Sequence, residues 1–377
     1  MMIAIVGGGI IGLSIGWYLA SRGEKAVVYE RGLVGRGATW ASAGMLAPNL
    51  EAEPSEEKLL PLLVEGRRMW ESYAIELEEA SQVKVNYRRE GTLALAFTRD
   101  DLARLHFQYE FQRSLGLDVE LVDGGKVQEM EPLVNRSVLA ALYSRSDHQV
   151  DNRLVAAALK AAFTGCGGVL REGCEVSKVV VEGGRAVGVS LSGGFERAEH
   201  VVLAAGAWSR NVGGIPEYLR PPVRPVKGQM ISLKMPAGEP ILRHTVWGPM
   251  RNWGPAYIVP RLDGRLLLGT TVEEAGFDTS VTAGGLVNIL RSCWEILPTI
   301  TELPVDEVWA GLRPGSRDDA PIIGPTPLDG LIMATGHFRN GILLAPITAE
   351  AVGRYILSGE MPEVALPFTI ERFIGGG

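Results

Sequence analysis

The chain has 377 residues, 46% of them hydrophobic and 21% charged, with a formal net charge of −7. That length exceeds one ordinary core and implies two domains, and the acidic balance excludes nucleic acid as a main partner, because phosphate binding needs a basic surface. Three cysteines (Cys166, Cys174, Cys293) without a CxxC spacing exclude a disulfide framework and point to a reducing cytoplasm; with no ligand spacing among the five histidines either, no metal is expected.

The first uncharged run, Ile3 to Ala20, has the length of a membrane span. Gly7, Gly8, Gly9 and Gly12 exclude that, since each costs roughly 1 kcal/mol in a helix interior. No basic residue precedes Arg22, so a secretory leader is not expected either. The run reads instead as strand, turn and helix. Ile3 to Val6 is a short apolar strand of the kind buried in a parallel sheet. Gly7-x-Gly9-x-x-Gly12 follows at once. The first glycine permits the tight turn, the second lets backbone approach a pyrophosphate, and the third lets the helix pack close to the strand. The helix, from about Ile10 to Ser21, points its positive end at the phosphates. A second strand, Lys25 to Tyr29, ends at Glu30, whose carboxylate accepts ribose hydroxyls and repels a 2′-phosphate.

Residues 31–50 are rich in small residues and irregular, which suits backbone wrapped around a cofactor. A helix is predicted from Ser55 to about Glu79, a strand over Gly91–Phe97 and a helix over Arg99–Leu115. Dinucleotide-domain patterning then returns. Val150 to Gly165 reads as helix, and Cys174 to Ser209 as strand, turn, strand, turn, strand, with Gly183-Gly184 and Gly193-Gly194 at the turns. Residues 222–272 look antiparallel. A helix over about Gly284–Leu297 follows, then a strand (Leu331–Ala334), a loop and a last helix (about Pro346–Leu357). The nucleotide domain is therefore interrupted. It takes residues 1–80, 145–220 and 305–377, and a substrate domain takes 81–144 and 221–304. A simple N-terminal NAD domain followed by a catalytic domain does not fit.

The motifs "IVGGGIIG", Glu30, "SAGML" (Ser42 to Leu46), "VVLAAGAWS" (Val201 to Ser209), "PVKGQ" (Pro225 to Gln229) and "GLRPGSRDDAPIIG" (Gly311 to Gly324) together resemble the D-amino-acid-oxidase family of FAD enzymes. "GHFRNGILLAP" (Gly336 to Pro346) is closer still to that family's glycine oxidases of thiamine synthesis. The resemblance covers almost the whole chain in order. It implies an α/β fold: a Rossmann-like FAD-binding domain of the glutathione-reductase kind, interrupted by an α+β substrate domain with a mixed or antiparallel sheet.

For the cofactor, the resemblance places Gly7, Gly9, Gly12, Ile10 and Ile11 at the pyrophosphate, and Glu30 with Arg31 at the adenosine. Ala38, Thr39, Ala43, Gly44 and Met45 line the ribityl chain and ring. Val176 contacts adenine, Gly206 joins the set, and His337, Phe338, Asn340, Gly341, Ile342 and Leu343 close over the flavin. For the substrate it implies Arg339 as a bidentate carboxylate partner, Arg313 as a second arginine and Tyr257 as a hydroxyl donor. The implied reaction converts a small amino acid (glycine, sarcosine or a small D-amino acid) and dioxygen to a 2-oxo acid, ammonia or amine, and hydrogen peroxide. A homo-oligomer such as a tetramer and the absence of a membrane partner are further implications.

Three departures fall on the substrate side. Pro255 stands where glycine oxidases often carry histidine, Val272 where they carry methionine, and Trp247 to Gly254 is longer than usual. The nearest cysteine to Arg313 is Cys293, twenty residues away, so the FAD is expected to be non-covalent. A dehydrogenase of the same family passing electrons to a quinone, and a non-catalytic FAD-binding protein, stay open as alternatives.

Overall fold

The computed structural model describes residues 1–238, 240–249 and 256–374. Its first sheet has six strands in the order Ile322–Pro325, Leu331–Thr335, His200–Leu203, Met2–Val6, Lys25–Tyr29, Val169–Arg171. All neighbours run parallel except Ile322–Pro325 against Leu331–Thr335. Met2–Val6 sits in the middle, which explains its unbroken apolar composition. Ile3 and Ile5 enter one core with the helices, while Ala4 and Val6 enter another on the opposite face. The helix layer is built from Ile10–Ala20, Leu60–Ser81, Asn152–Gly165 and Ala345–Ser358. The other face is covered by a three-stranded antiparallel sheet, Val176–Glu182, Arg185–Leu191 and Gly194–Arg197. Gly183 (φ +57°) and Gly184 (φ +79°) make its first turn in the left-handed region that glycine favours.

The second sheet has eight strands, ordered Val305–Gly315, Arg224–Lys234, Arg265–Gly269, Tyr257–Pro260, Thr245–Trp247, Thr92–Ala96, Ala140–Ser144, Glu120–Asp123. One pair, Thr245–Trp247 with Thr92–Ala96, is parallel and the rest are antiparallel, so the sheet is mixed. Helix Ala283–Ile296, capped by the Thr282 side chain, packs on it.

Several elements differ from the sequence reading. Val305–Gly315 pairs along its length with Arg224–Lys234 and so forms the edge of the eight-stranded sheet. The run ending at Leu203 is two strands: Gly194–Arg197 closes the hairpin, and His200–Leu203 crosses to the parallel sheet, where Val201, Val202 and Leu203 become fully buried. Residues 31–50 contain a one-turn helix, Ala38–Ala41, and a short strand, Met45–Leu46, paired with His148–Gln149. The helix expected from Ser55 begins at Leu60, because Pro54–Glu56 forms a separate 3-10 turn. No described helix is long and apolar enough to cross a membrane. No group of metal-ligating side chains is found among the described residues.

Candidate active site

A cavity of about 1570 Å³ runs from the carboxyl end of Met2–Val6 to the face of the eight-stranded sheet. This is where open α/β sheets bind ligands, outside the strand ends at a change of strand order. Every site residue expected from sequence lines it except Gly12. Gly12 lies underneath, where a Cβ would come within 2.0 Å of the Gly7 carbonyl oxygen. Its bareness thus sets how closely the helix approaches the strand.

At the dinucleotide end, the helix Ile10–Ala20 starts on Gly9, which offers no side-chain cap. Thr39 Oγ1 accepts the Ile10 N–H at 2.9 Å, bringing segment 38–45 against the glycine turn. The Glu30 carboxylate accepts the N–H of Gly8 (2.8 Å) and of Gly32 (2.9 Å). A carboxylate has about four lone-pair sites, so two remain for ribose hydroxyls. The Arg31 guanidinium lies 3.7 Å over the Trp208 ring, beside Val176 and Gly206 in the same lining.

At the other end, His337 is buried, bonded through Nε2 to Thr348 Oγ1 at 3.0 Å, and burial pushes its pKa down to about 3, so it is neutral. Phe338 sits at φ +46°, a conformation that costs a non-glycine residue roughly 1–3 kcal/mol and is held by its surroundings. Asn340 Nδ2 is buried with no partner among the described residues, a donor left for a ligand. Helix Ala345–Ser358 then begins with no side-chain cap and no acid in its first turn, so its positive end stays uncompensated beside the cavity. A glycine cradle, an acid with spare lone pairs, an orphaned donor and two bare helix starts together fit a dinucleotide with an electron-accepting ring.

Tyr257 and Arg313 come together on the sheet face. Tyr257 is buried and its hydroxyl donates to Met230 Sδ at 3.2 Å. Burial raises its pKa, with the charge of Arg313 opposing. Arg313 Nη2 donates to Thr270 Oγ1 at 2.9 Å, and Nη1 to the carbonyls of Thr271 (3.2 Å) and Lys227 (3.4 Å). Two bare positions make room for them. A Cβ on Gly269 would fall 2.3 Å from the Tyr257 ring, and one on Gly228 would fall 2.3 Å from Arg313 Nη1.

Arg339 is already engaged. Its Nε donates to Glu51 Oε2 at 2.8 Å, and its Nη2 to Glu56. Burial pulls its pKa down, but the two carboxylates outweigh this and hold it above its ordinary value. Burial also raises Glu51, with Arg339 opposing. Any other carboxylate reaching Arg339 would compete with Glu51 and Glu56, neither of which the sequence reading singled out. The acidic stretch "EAEPSEE" (Glu51 to Glu57), four residues beyond "SAGML", is the signal that marks them. Val272 and Trp247 line the same cavity; Pro255 and residues 250–254 lie outside the described residues. Cys293 is in the core of the second sheet and does not line the cavity.

The segment carrying Glu51 is fixed by Asp147, which accepts the N–H of Asn49 (3.1 Å) and Leu50 (2.9 Å). Burial pushes the Asp147 carboxyl up to about 7 in spite of these bonds. Between pH ~4 and ~7 the folded chain keeps a proton that the unfolded chain releases, so this group's contribution to stability falls as pH rises through that window. Asp147→Asn should remove that fall, worth at most about 4 kcal/mol. Urea unfolding of both proteins from pH 4 to 8 checks it. His337 and His148, both lowered by burial, act with the opposite sign in both proteins and cancel in the difference. Parallel pH profiles would show that Asp147 does not titrate there.

This fold and this cavity define a flavin-dependent oxidoreductase of the D-amino-acid-oxidase type. Residues 2–355 match the FAD dependent oxidoreductase (DAO) family, and the chain belongs to that family. It is 36% identical over 375 residues to the glycine oxidase of Geobacillus kaustophilus, covering 99% of this chain and 97% of that one. The crystal structure of a glycine oxidase from Geobacillus kaustophilus superposes with a TM-score of 0.90 at 35% identity, covering 99% of both chains. The bifunctional protein ThiO/ThiG of Trichormus variabilis is 33% identical over 382 residues, covering 98% of this chain but only 55% of that one.

Proposed function

We propose that the protein oxidises glycine, and also sarcosine or small D-amino acids, to the 2-oxo acid, ammonia or amine, and hydrogen peroxide. The observation that carries this is the convergence of Arg313, Tyr257 and Arg339 on one cavity with the dinucleotide glycines. Bound FAD would supply the two-electron acceptor for the amino acid, with dioxygen as the final oxidant. Gly7, Gly9, Ile10, Ile11, Glu30, Arg31, Val176 and Gly206 hold its dinucleotide half. Ala38, Thr39, Ala43–Met45, His337, Phe338 and Asn340–Leu343 would line its ribityl chain and ring. The start of helix Ala345–Ser358 favours negative charge on it.

The chain's own groups position the substrate. Arg339 takes the carboxylate once Glu51 or Glu56 gives way, Arg313 adds positive field from the opposite sheet, and Tyr257 supplies a hydroxyl. The eight-stranded mixed sheet serves as the substrate domain (81–144 and 221–304, with Val305–Gly315 joined to it by pairing), and the remainder as the FAD domain. A cytoplasmic homo-oligomer that takes up FAD without a covalent bond completes the reading, and the likeness to ThiO/ThiG supports a place in thiamine synthesis.

Val272, with its short side chain, favours a pocket that admits an extra methyl. One methylene is worth only about 1–3 kcal/mol of discrimination in an apolar site. The test is purification followed by peroxide assays. A yellow protein that releases its flavin into the acid-denatured supernatant and makes peroxide from glycine, sarcosine and D-alanine is expected. Flavin left in the pellet contradicts non-covalent binding, and turnover of L-alanine in place of D-alanine overturns the chirality.

A further inference from the structure

Arg261 has no part in the chemistry above, yet it is a buried cation held by an unusual set of partners. It directly follows strand Tyr257–Pro260 and is 4% exposed. Its Nη1 donates to Gln149 Oε1 at 3.0 Å and to the Val150 carbonyl at 2.7 Å. Its Nη2 donates to the Ala43 carbonyl at 2.6 Å and to Asn152 Oδ1 at 3.0 Å. None of these four acceptors carries a charge. The carboxylate of Asp151, between two of them in sequence, is instead bonded to Arg265 at 2.7 Å and caps helix Asn152–Gly165. Burying a guanidinium whose direct partners are all neutral oxygens is costly, and the nearby charge of Asp151 offsets burial only in part, so its placement calls for a use.

The bonds lead to one place. Ala43 is held directly. The Gly44 carbonyl accepts the Val150 N–H at 2.9 Å, and the Val150 carbonyl is itself bonded to Arg261. Asn152 passes the contact on, because its Nδ2 donates to the carbonyls of Thr39 (2.8 Å) and Trp40 (3.1 Å). The fit is tight: a Cβ on Gly44 would sit 2.1 Å from the Val150 oxygen and 3.0 Å from Arg261 Nη2. Arg261 lies only four residues beyond Tyr257 on the same chain segment. We propose that Arg261 is a positioning residue that locks the flavin-facing segment Thr39–Met45 to the sheet carrying Tyr257, so that cofactor affinity and the seating of the ring against the substrate groups depend on it. This rests on the reading of that segment as flavin-binding.

The experiment is titration of apoprotein with FAD, followed by flavin fluorescence quenching, for wild type, Arg261→Met and Arg261→Lys. Arg261→Met should bind FAD at least tenfold more weakly. Arg261→Lys keeps the charge but not the fork, and should recover part of that loss. The visible band of the flavin that does bind should shift in Arg261→Met, which a mere loss of stability does not produce. Affinity within threefold of wild type, or a bound-flavin spectrum unchanged from wild type, overturns the proposal. If Arg261→Met does not fold, Asn152→Ala decides. It breaks the relay to Thr39 and Trp40, and a threefold or greater loss of FAD affinity supports the proposal while an unchanged one overturns it. Wild-type apoprotein that takes up no FAD at all would defeat the flavin reading itself, a result separate from all of these.

Discussion

Arg339→Ala should lose most of its turnover while keeping its flavin. A bidentate carboxylate contact in a desolvated site is worth on the order of 2–5 kcal/mol when one partner is removed. Here the loss should sit toward the upper end. Glu51 and Glu56 both bond Arg339 in this structure. Without the guanidinium, two acids lie unpaired by it beside the place where a carboxylate must bind, and the loss of its charge favours the protonated form of Glu51 further. The effect should therefore fall on KM as well as kcat, and adding Glu51→Gln to Arg339→Ala should recover part of the KM. Tyr257→Phe should lose less, since only a single neutral hydroxyl goes. Steady-state kinetics with glycine, with flavin content measured on the same samples, checks all of this. A kcat/KM within threefold of wild type for Arg339→Ala removes it from the substrate site.

The geometry around the first glycine turn was legible in the sequence because it is local. A strand, three spaced glycines and an acid at the next strand end define a turn whose parts lie within thirty residues. What the sequence hid are contacts made across it. Glu51 and Glu56 meet Arg339 nearly three hundred residues away, and nothing in the spacing reports that pairing. Val305–Gly315 reads as the start of a third nucleotide segment, yet pairing with Arg224–Lys234 claims it for the other sheet. The same pairing is what delivers Arg313, opposite Val226, to the cavity. Arg261 shows the same limit. In sequence it is one more arginine after a strand, and only its four uncharged acceptors mark it.

Two glycines of the first motif should separate folding from cofactor binding. Gly12→Val should damage both. Its Cβ would lie 2.0 Å from the Gly7 carbonyl oxygen and 3.3 Å from Ile5 Cγ2, against backbone and a central strand that cannot move aside. Overpacking of this kind costs typically 1–3 kcal/mol, and more where backbone is the obstacle. Gly9→Ala is different. Gly9 has φ −74°, which alanine adopts without strain, and a Cβ there meets nothing closer than Thr39 Oγ1 at 3.5 Å. The fold should lose little, about 0.5–1 kcal/mol for alanine in place of glycine at the helix N-cap. Yet that Cβ projects where backbone must approach a pyrophosphate closely. FAD affinity should fall at least tenfold, about 1.4 kcal/mol, with the melting temperature of the apoprotein little changed. Thermal unfolding of the apoprotein and FAD titration of the same samples read the two effects apart. Gly9→Ala binding FAD as tightly as wild type would mean that the phosphates do not rest on this turn.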